Sequence, residues 1–297
     1  MARYAYVDGR YTAHQDAAVH VEDRGFQFSD GVYEVVARVD GAFIDMEPHL
    51  DRLERSLASL EISAPMSRRA LSMVMSELVT RNGVRNGLIY IQITRGTAPR
   101  DHAFPANISP TLVMTTKRVD YFKQKKIMAG CKVITTPDIR WARCDIKTVS
   151  LLPNCMAKTE ARRADADEAW LYDAAGDVTE GTSCNAWIVT HDDRLITRGV
   201  TDNILRGVTR ETMIALASEL SLTFEERPFS VAEAKAAREA FSTSATSLVT
   251  PVVQIDDTIL GNGAPGLFTS RIQERYFDYC RQNGCRQNEC RQNGAQA

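Results

Sequence analysis

No run of the 297-residue sequence reaches the 18 or so consecutive apolar residues that a membrane span requires. The N-terminus, MARYAYVDGRYTAHQD, lacks a charged segment followed by an apolar one, so export is not expected and a reducing cytoplasm is the expected compartment. An excess of one charge is also missing. Lys and Arg number 36 and Asp and Glu 38, a net charge of −2, and no overall positive field draws the chain to nucleic acid or an anionic membrane. Histidine is scarce, with five residues, and no His-x-x-x-His or Cys-x-x-Cys pair occurs, so no metal site is expected. Seven Cys is an odd number, which excludes a fully paired intramolecular disulfide framework. Cys280, Cys285 and Cys290 each open a Cys-Arg-Gln-Asn repeat. That spacing fits no usual zinc site, and on a helix a five-residue step turns about 140°, so the thiols share no face. A disordered, low-complexity extension is expected over 280–297.

What is present is ordinary for a soluble globular protein: 44% apolar and 25% charged residues, long enough for about two domains at roughly 150 residues each. Asp8-Gly9 and Asp40-Gly41 lie between strand-like runs and predict hairpins, because the turn needs positive φ. A helix is expected after Pro48, with Leu50, Leu53, Leu57 and Leu60 on one stripe, and a second from Ser67 to Arg81. Leu88–Thr94 and Thr111–Thr116 read as strands, and the charged stretch 117–126 as a connection. Further on, strands are expected at Lys132–Thr135, Ala169–Tyr172 and Ser183–Thr190, the last two in one hairpin region. Helices are expected at Asn154–Ala164, Thr209–Leu220 and Val231–Glu239, and Phe241–Val253 is expected to be extended. Without strict alternation of strand and helix, the class is α+β rather than a doubly wound sheet. The expected organisation is a small N-terminal domain over 1–118, a connection over 119–129, a larger domain over 130–279 and the tail over 280–297.

Four features bear on chemistry. Lys147 precedes an apolar stretch in DIKTVSLLPN; a lysine drawn out of water is a nucleophile or base, whereas one lying along apolar surface merely snorkels. Glu180 stands beside Gly181 in VTEGTSCNAW, as a turn residue or an acid–base group. Gly207-Val208-Thr209 precedes a helix and reads as an N-cap or an anion site. Ser242 to Ser247 is a run of small, mostly hydroxylated residues that suits a second side of the same anion or a polar strand end. Together, a lysine, a carboxylate and two phosphate-cradling turns are the parts that a pyridoxal phosphate site needs. His14, His20 and His191 have no comparable support, and Cys144 and Cys184 read as small packing residues.

Over about residues 4–275 the chain resembles the fold-type IV, or class IV, pyridoxal-phosphate-dependent aminotransferases, and within them the D-amino-acid aminotransferases. The segments that carry the likeness are EDRGFQFSDGVYEVV, HLDRL, TRGTAPRDHAFP, DIRWARCDIK, VTEGTSCNAW and ILRGVTR. The resemblance implies a small α/β N-terminal domain and a larger domain with a mostly antiparallel, barrel-like sheet. It implies pyridoxal 5′-phosphate as cofactor, with Lys147 as the Schiff-base lysine, Glu180 facing the pyridine nitrogen and Arg52 on the phosphate. Leu205 is implied against the ring. Ser183, Gly207, Val208, Thr209, Ser244, Ala245 and Thr246 complete the cofactor set, with Ala245 departing from the hydroxyl expected there.

Tyr33, Arg100 and His102 match a trap for the substrate carboxylate, Arg100 and His102 reaching over from the partner of a homodimer. Ping-pong transfer of the amino group of a D-amino acid, such as D-alanine, to a 2-oxo acid such as 2-oxoglutarate or pyruvate follows from the resemblance. The alternative is another enzyme of the fold (an L-branched-chain aminotransferase, an (R)-amine transaminase or aminodeoxychorismate lyase), and Arg100-x-His102, a carboxylate clamp in the D-enzyme arrangement, argues against it. A non-catalytic binding protein would not need Lys147, Glu180 and Arg52 together. Arg100→Ala is expected mainly to raise KM for the amino acid; an unchanged KM with a lowered Tm makes Arg100 structural.

Overall fold

The computed structural model describes residues 3–217 and 222–294, with side chains up to 216 and from 222 to 283. By internal contacts the chain divides into two units. The first holds Met1–Asp120, Ile146–Ser150 and Arg281–Ala297; the second holds Tyr121–Asp145 and Leu151–Cys280.

The first unit contains β1 (Tyr4–Val7), β2 (Arg10–Ala13), α1 (Arg24–Phe28), β3 (Gly31–Val39), β4 (Ala42–Phe43), α2 (Met46–Ser59), α3 (Arg68–Arg81), β5 (Gly87–Thr94) and β6 (Thr111–Arg118). The strands form one antiparallel sheet in the order β2-β1-β6-β5-β3-β4. Both Asp-Gly turns have left-handed backbones at both residues, φ 41° and 88° at Asp8-Gly9 and 48° and 90° at Asp40-Gly41, as a two-residue hairpin turn requires. Alternation sorts β5: Ile89, Ile91 and Ile93 are buried, while Leu88, Tyr90 and Gln92 are half-buried on the opposite face. The buried side meets Leu50, Leu53 and Leu57 of α2 and Leu71, Met75 and Leu78 of α3. Ser67 caps α3 by accepting from the Ala70 N–H at 3.3 Å.

The second unit contains α4 (Lys125–Ala129), β7 (Cys131–Pro137), α5 (Leu152–Arg163), β8 (Glu168–Tyr172), β9 (Val178–Gly181), β10 (Asn185–Val189), β11 (Arg194–Thr197), α6 (Val208–Ala217), β12 (Thr223–Glu226), α7 (Val231–Lys235), β13 (Glu239–Ser244), β14 (Leu248–Ile255), β15 (Thr258–Ile259) and, as far as Cys280, α8 (Leu267–Gly294). Its nine strands form a mixed sheet in the order β12-β11-β10-β13-β14-β7-β8-β9, with β15 on β14. The end strand β9 also lies beside β10, so the sheet curls toward closure. The α+β class and barrel-like sheet expected from the sequence are what the structure has.

Several local expectations are corrected. The hairpin partner of β8 is β9, not Ser183–Thr190, which instead forms β10 between β11 and β13. The sequence hid β9 because all four of its residues are buried, leaving no alternation to read. The helix expected to reach Glu239 stops at Lys235. Glu239 pairs with Val189 in the sheet and accepts from the Phe268 and Thr269 N–H groups at the start of α8, at 3.1 and 2.7 Å. Within the stretch expected as a connection, Lys117 and Arg118 finish β6 and Ile127 is buried on α4. Residues 280–294, expected to be disordered, continue α8. Lengthening an existing helix needs no new nucleus, and Arg and Gln favour it. Leu220, expected on α6, lies outside the described residues, as do residues 295–297 of the tail.

Candidate active site

In the first unit the site is built on one edge of β3. Residues 146–150 run antiparallel along that edge: the Tyr33 N–H donates to Lys147 O at 2.9 Å and the Val149 N–H to Gly31 O at 3.0 Å. Gly31 permits the close sheet packing, since a Cβ there would lie 2.8 Å from Ile93 O. The Lys147 N–H donates to Ser56 Oγ of α2 at 3.3 Å, so the lysine's backbone is tied on two sides. Its Nζ stands 4.2 Å from the centroid of the Tyr33 ring. That ring stacks on Tyr90 at 5.6 Å, and the Tyr90 hydroxyl donates to Gln92 Oε1 at 2.7 Å. Burial, with Tyr33 adding, pushes the Tyr90 phenol up to about 12.

On the opposite face of β3, Glu34 is wholly buried. Arg52 grips it with Nε to Oε1 at 2.7 Å and Nη2 to Oε2 at 2.9 Å, and His49 Nδ1 lies 2.8 Å from Oε2. His49, Arg52 and Ser56 share a face of α2 at helical spacing. Burial opposes the charge on Glu34, but the charge and hydrogen bonds of Arg52, with those of His49, outweigh it and hold the carboxyl well below its usual range. Arg52, expected on a phosphate, therefore has its guanidinium plane fixed by Glu34.

Arg100 and His102 come together on the loop after β5. The Arg100 guanidinium lies 4.6 Å from the Phe28 ring centroid and the His102 ring 5.5 Å from it; both residues are exposed. Arg24 anchors this loop, donating from Nη1 to Asp101 O at 2.6 Å and from Nη2 to His102 O at 3.3 Å. The carboxylate of Asp30 takes Arg24 Nε at 2.7 Å and Arg95 Nε at 2.8 Å. Tyr33, the third trap residue, belongs to the Lys147 cluster rather than to this loop.

In the second unit Glu180 is buried on β9. Arg140 Nη1 donates to its Oε1 at 2.5 Å, Asn185 Nδ2 to its Oε2 at 3.1 Å, and the Leu205 N–H lies 3.3 and 3.2 Å from the two oxygens. Asn185 Nδ2 also donates to Leu205 O at 3.0 Å, which joins β10 to the turn before α6. Gly207 is required in that turn, because a Cβ would lie 2.0 Å from Asn185 Oδ1. Val208 and Thr209, both buried, open α6, which packs beside β13. Ser244, Ala245 and Thr246 lie at the turn from β13 to β14, where Ser244 Oγ is 3.1 Å from Thr246 Oγ1 and 2.8 Å from Ser247 Oγ. Ser183 is exposed in the short loop from β9 to β10. Burial raises the pKa of the Cys144 thiol to about 11 and that of Cys184 further, which suits packing residues and not nucleophiles.

Glu34, His49, Asp138, Arg140 and Asn185 were not singled out from the sequence. The signal for Glu34 was available: its register on β3 places a carboxylate on the core face, and such a group needs partners. Its stabilising effect carries a pH signature. A carboxyl with a depressed folded pKa stabilises fully above its unfolded value near 4.3 and progressively less as pH falls toward the folded value. Glu34→Gln is expected to cost about 3–5 kcal/mol at neutral pH, with the gap from wild type closing below about pH 4. Urea titrations at both pH values check this, and a gap independent of pH contradicts it.

The sequence profile of the amino-transferase class IV family matches residues 31–255. The chain is 40% identical over 266 residues to a D-alanine aminotransferase of Bacillus licheniformis, covering 90% of this chain and 93% of that protein. It is 35% identical over 275 residues to a D-alanine aminotransferase of Listeria monocytogenes serotype 4b (strain F2365), covering 92% and 94%. In fold it is similar to the branched-chain amino acid aminotransferase from Escherichia coli, with a TM-score of 0.83, 24% identity, and 93% of this chain and 94% of that chain covered. The match of the family profile across both units, with the two relatives at this identity, establishes that the chain belongs to the class IV aminotransferases.

Proposed function

We propose that this chain is a D-amino-acid aminotransferase that moves the amino group of a D-amino acid such as D-alanine to a 2-oxo acid, with pyridoxal 5′-phosphate as its cofactor. The observation that carries this reading is the identity of 40% to a D-alanine aminotransferase over nine-tenths of the chain. The donor set fits the cofactor. Glu180 is a buried carboxylate of the kind that partners a pyridinium nitrogen. Val208 and Thr209 open α6 behind Gly207, and Ser244 and Thr246 carry hydroxyls at the turn from β13 to β14. Lys147 would bond the cofactor's reactive carbon, and Leu205 would pack against its ring. Arg52, Gly207, Val208, Thr209, Ser244, Ala245 and Thr246 would hold the phosphate side, and Ser183 would complete the cofactor set.

When bound, the cofactor supplies an electron sink for the negative charge that develops at the substrate's Cα. The rest falls to the chain. Glu180 Oε would accept a hydrogen bond from the protonated ring nitrogen and so favour its proton. Lys147 Nζ would take the proton from the substrate's Cα and hold it for delivery to the cofactor's reactive carbon, as base and then acid. Tyr33, Arg100 and His102 clamp the substrate carboxylate, and the side on which they clamp it decides which Cα face meets Lys147.

The active unit in this reading is a homodimer, with Arg100 and His102 serving the partner's site. Supporting it, both are exposed beside Phe28, and Phe26 and Phe104 of the same unit are 75% and 55% exposed. The cytoplasm is the proposed compartment, supported by the free thiols of Cys131, Cys144, Cys155, Cys184 and Cys280. No helix among the described residues is long and apolar enough to cross a membrane. Lys147→Ala is expected to abolish turnover of D-alanine with 2-oxoglutarate and the yellow colour of the bound cofactor; wild-type turnover in this variant removes Lys147 from the chemistry.

A further inference from the structure

Glu180 poses an electrostatic problem. An arginine, charged at any ordinary pH, donates to it at 2.5 Å, and a carboxylate neutralised one-to-one is a weak partner for a cationic ring. The structure contains an answer. Arg140 is gripped from its other side by Asp138, with Nε to Oδ1 at 2.9 Å and Nη2 to Oδ2 at 2.7 Å. This fork fixes the guanidinium plane and aims Nη1 at Glu180. Asp138 is itself held by the Thr179 hydroxyl at 2.7 Å, and by the Arg140 N–H at 3.1 Å. Thr179 and Glu180 are consecutive on β9, so one strand anchors both carboxylates. Arg140 Nη2 also donates to Asn203 O at 3.3 Å.

We infer that Asp138 is a positioning residue for Glu180: it orients Arg140 and offsets its charge, leaving the three side chains with one net negative charge to present to the cofactor's ring nitrogen. This rests on the reading that Glu180 faces that nitrogen. The charge states agree with it. Burial opposes ionisation of Asp138, but the hydrogen bond and charge of Arg140 outweigh it and hold the carboxyl below its usual range. Burial likewise opposes the charge on Arg140, and Asp138 and Glu180 together raise its pKa. With Asp138 replaced by a neutral side chain, Arg140 and Glu180 cancel, and the ring nitrogen loses the net negative neighbour that favours its proton.

The test is the protonation state of the ring nitrogen, read by 15N NMR of the full-length enzyme loaded with 15N-labelled pyridoxal 5′-phosphate. Asp138→Asn keeps the shape and removes the charge. Its resonance is expected to move toward the unprotonated value, with kcat for D-alanine reduced about tenfold, the equivalent of one unit of proton affinity. Asp138→Glu, which retains the charge, is expected to stay near the wild-type resonance. Asp138→Ser provides the neutral variant if the asparagine form does not fold, with the same expectation. A lowered Tm with an unmoved resonance in the neutral variants makes Asp138 structural and overturns the inference. Glu180→Gln separates the two levels. If it moves the resonance and neutral Asp138 variants do not, the reading of Glu180 stands and the inference fails; if Glu180→Gln leaves the resonance unmoved, the reading of Glu180 itself fails.

Discussion

A carboxylate removed from water must be surrounded by cations and donors, and each unit of this protein is organised around one such group. In the first unit it is Glu34. Its two oxygens draw Arg52 and His49 of α2 onto β3. The same helix supplies Ser56 to the backbone of Lys147, which lies along the edge of β3. One buried charge thus ties α2, through His49 and Arg52, to β3, and the same helix meets the backbone of Lys147. In the second unit Glu180 plays the corresponding part, tying the 138–140 segment, β10 and the turn before α6 to one strand.

These arrangements favour chemistry because the reacting groups do not need to be assembled at the moment of reaction. Lys147 is constrained through its main chain, while its amine remains partly accessible above the Tyr33 ring. That division suits a residue that carries a group and then moves a proton. Arg100 and His102, by contrast, are exposed on a loop held through its backbone by Arg24.

Much of this was legible in the sequence, and the parts that were not have a common cause. The Asp-Gly turns, the leucine stripe of α2 and the Ser67 cap follow from local backbone rules and were readable. The segment 146–150 beside β3 was not, because its partner lies more than a hundred residues away and edge pairing leaves no local mark. Strand β9 escaped because full burial erases alternation, and the helix expected to Glu239 yielded to a long-range role for that side chain. Lys147 and Glu180 stand out from their local sequence, and their full roles, with that of Arg52, are implied by the resemblance. Their supports Glu34, Arg140 and Asp138 lay inside the same quoted segments, but a buried pair is recognised only when both partners are placed. The C-terminal repeat reads as low complexity by composition, yet α8 carries its helical hydrogen bonding through residue 294.

In the proposed function, Tyr33, Arg100 and His102 clamp the substrate carboxylate so that the Cα proton of a D-amino acid faces Lys147. The most direct measurement is a half-reaction: the cofactor-loaded enzyme mixed with D-alanine or with L-alanine, no 2-oxo acid present, and the visible absorption followed with the pyruvate formed. Loss of the resting band and release of pyruvate with D-alanine alone is the result this account predicts. The same outcome with L-alanine alone would leave the fold and Lys147 in place and contradict the stereochemical assignment.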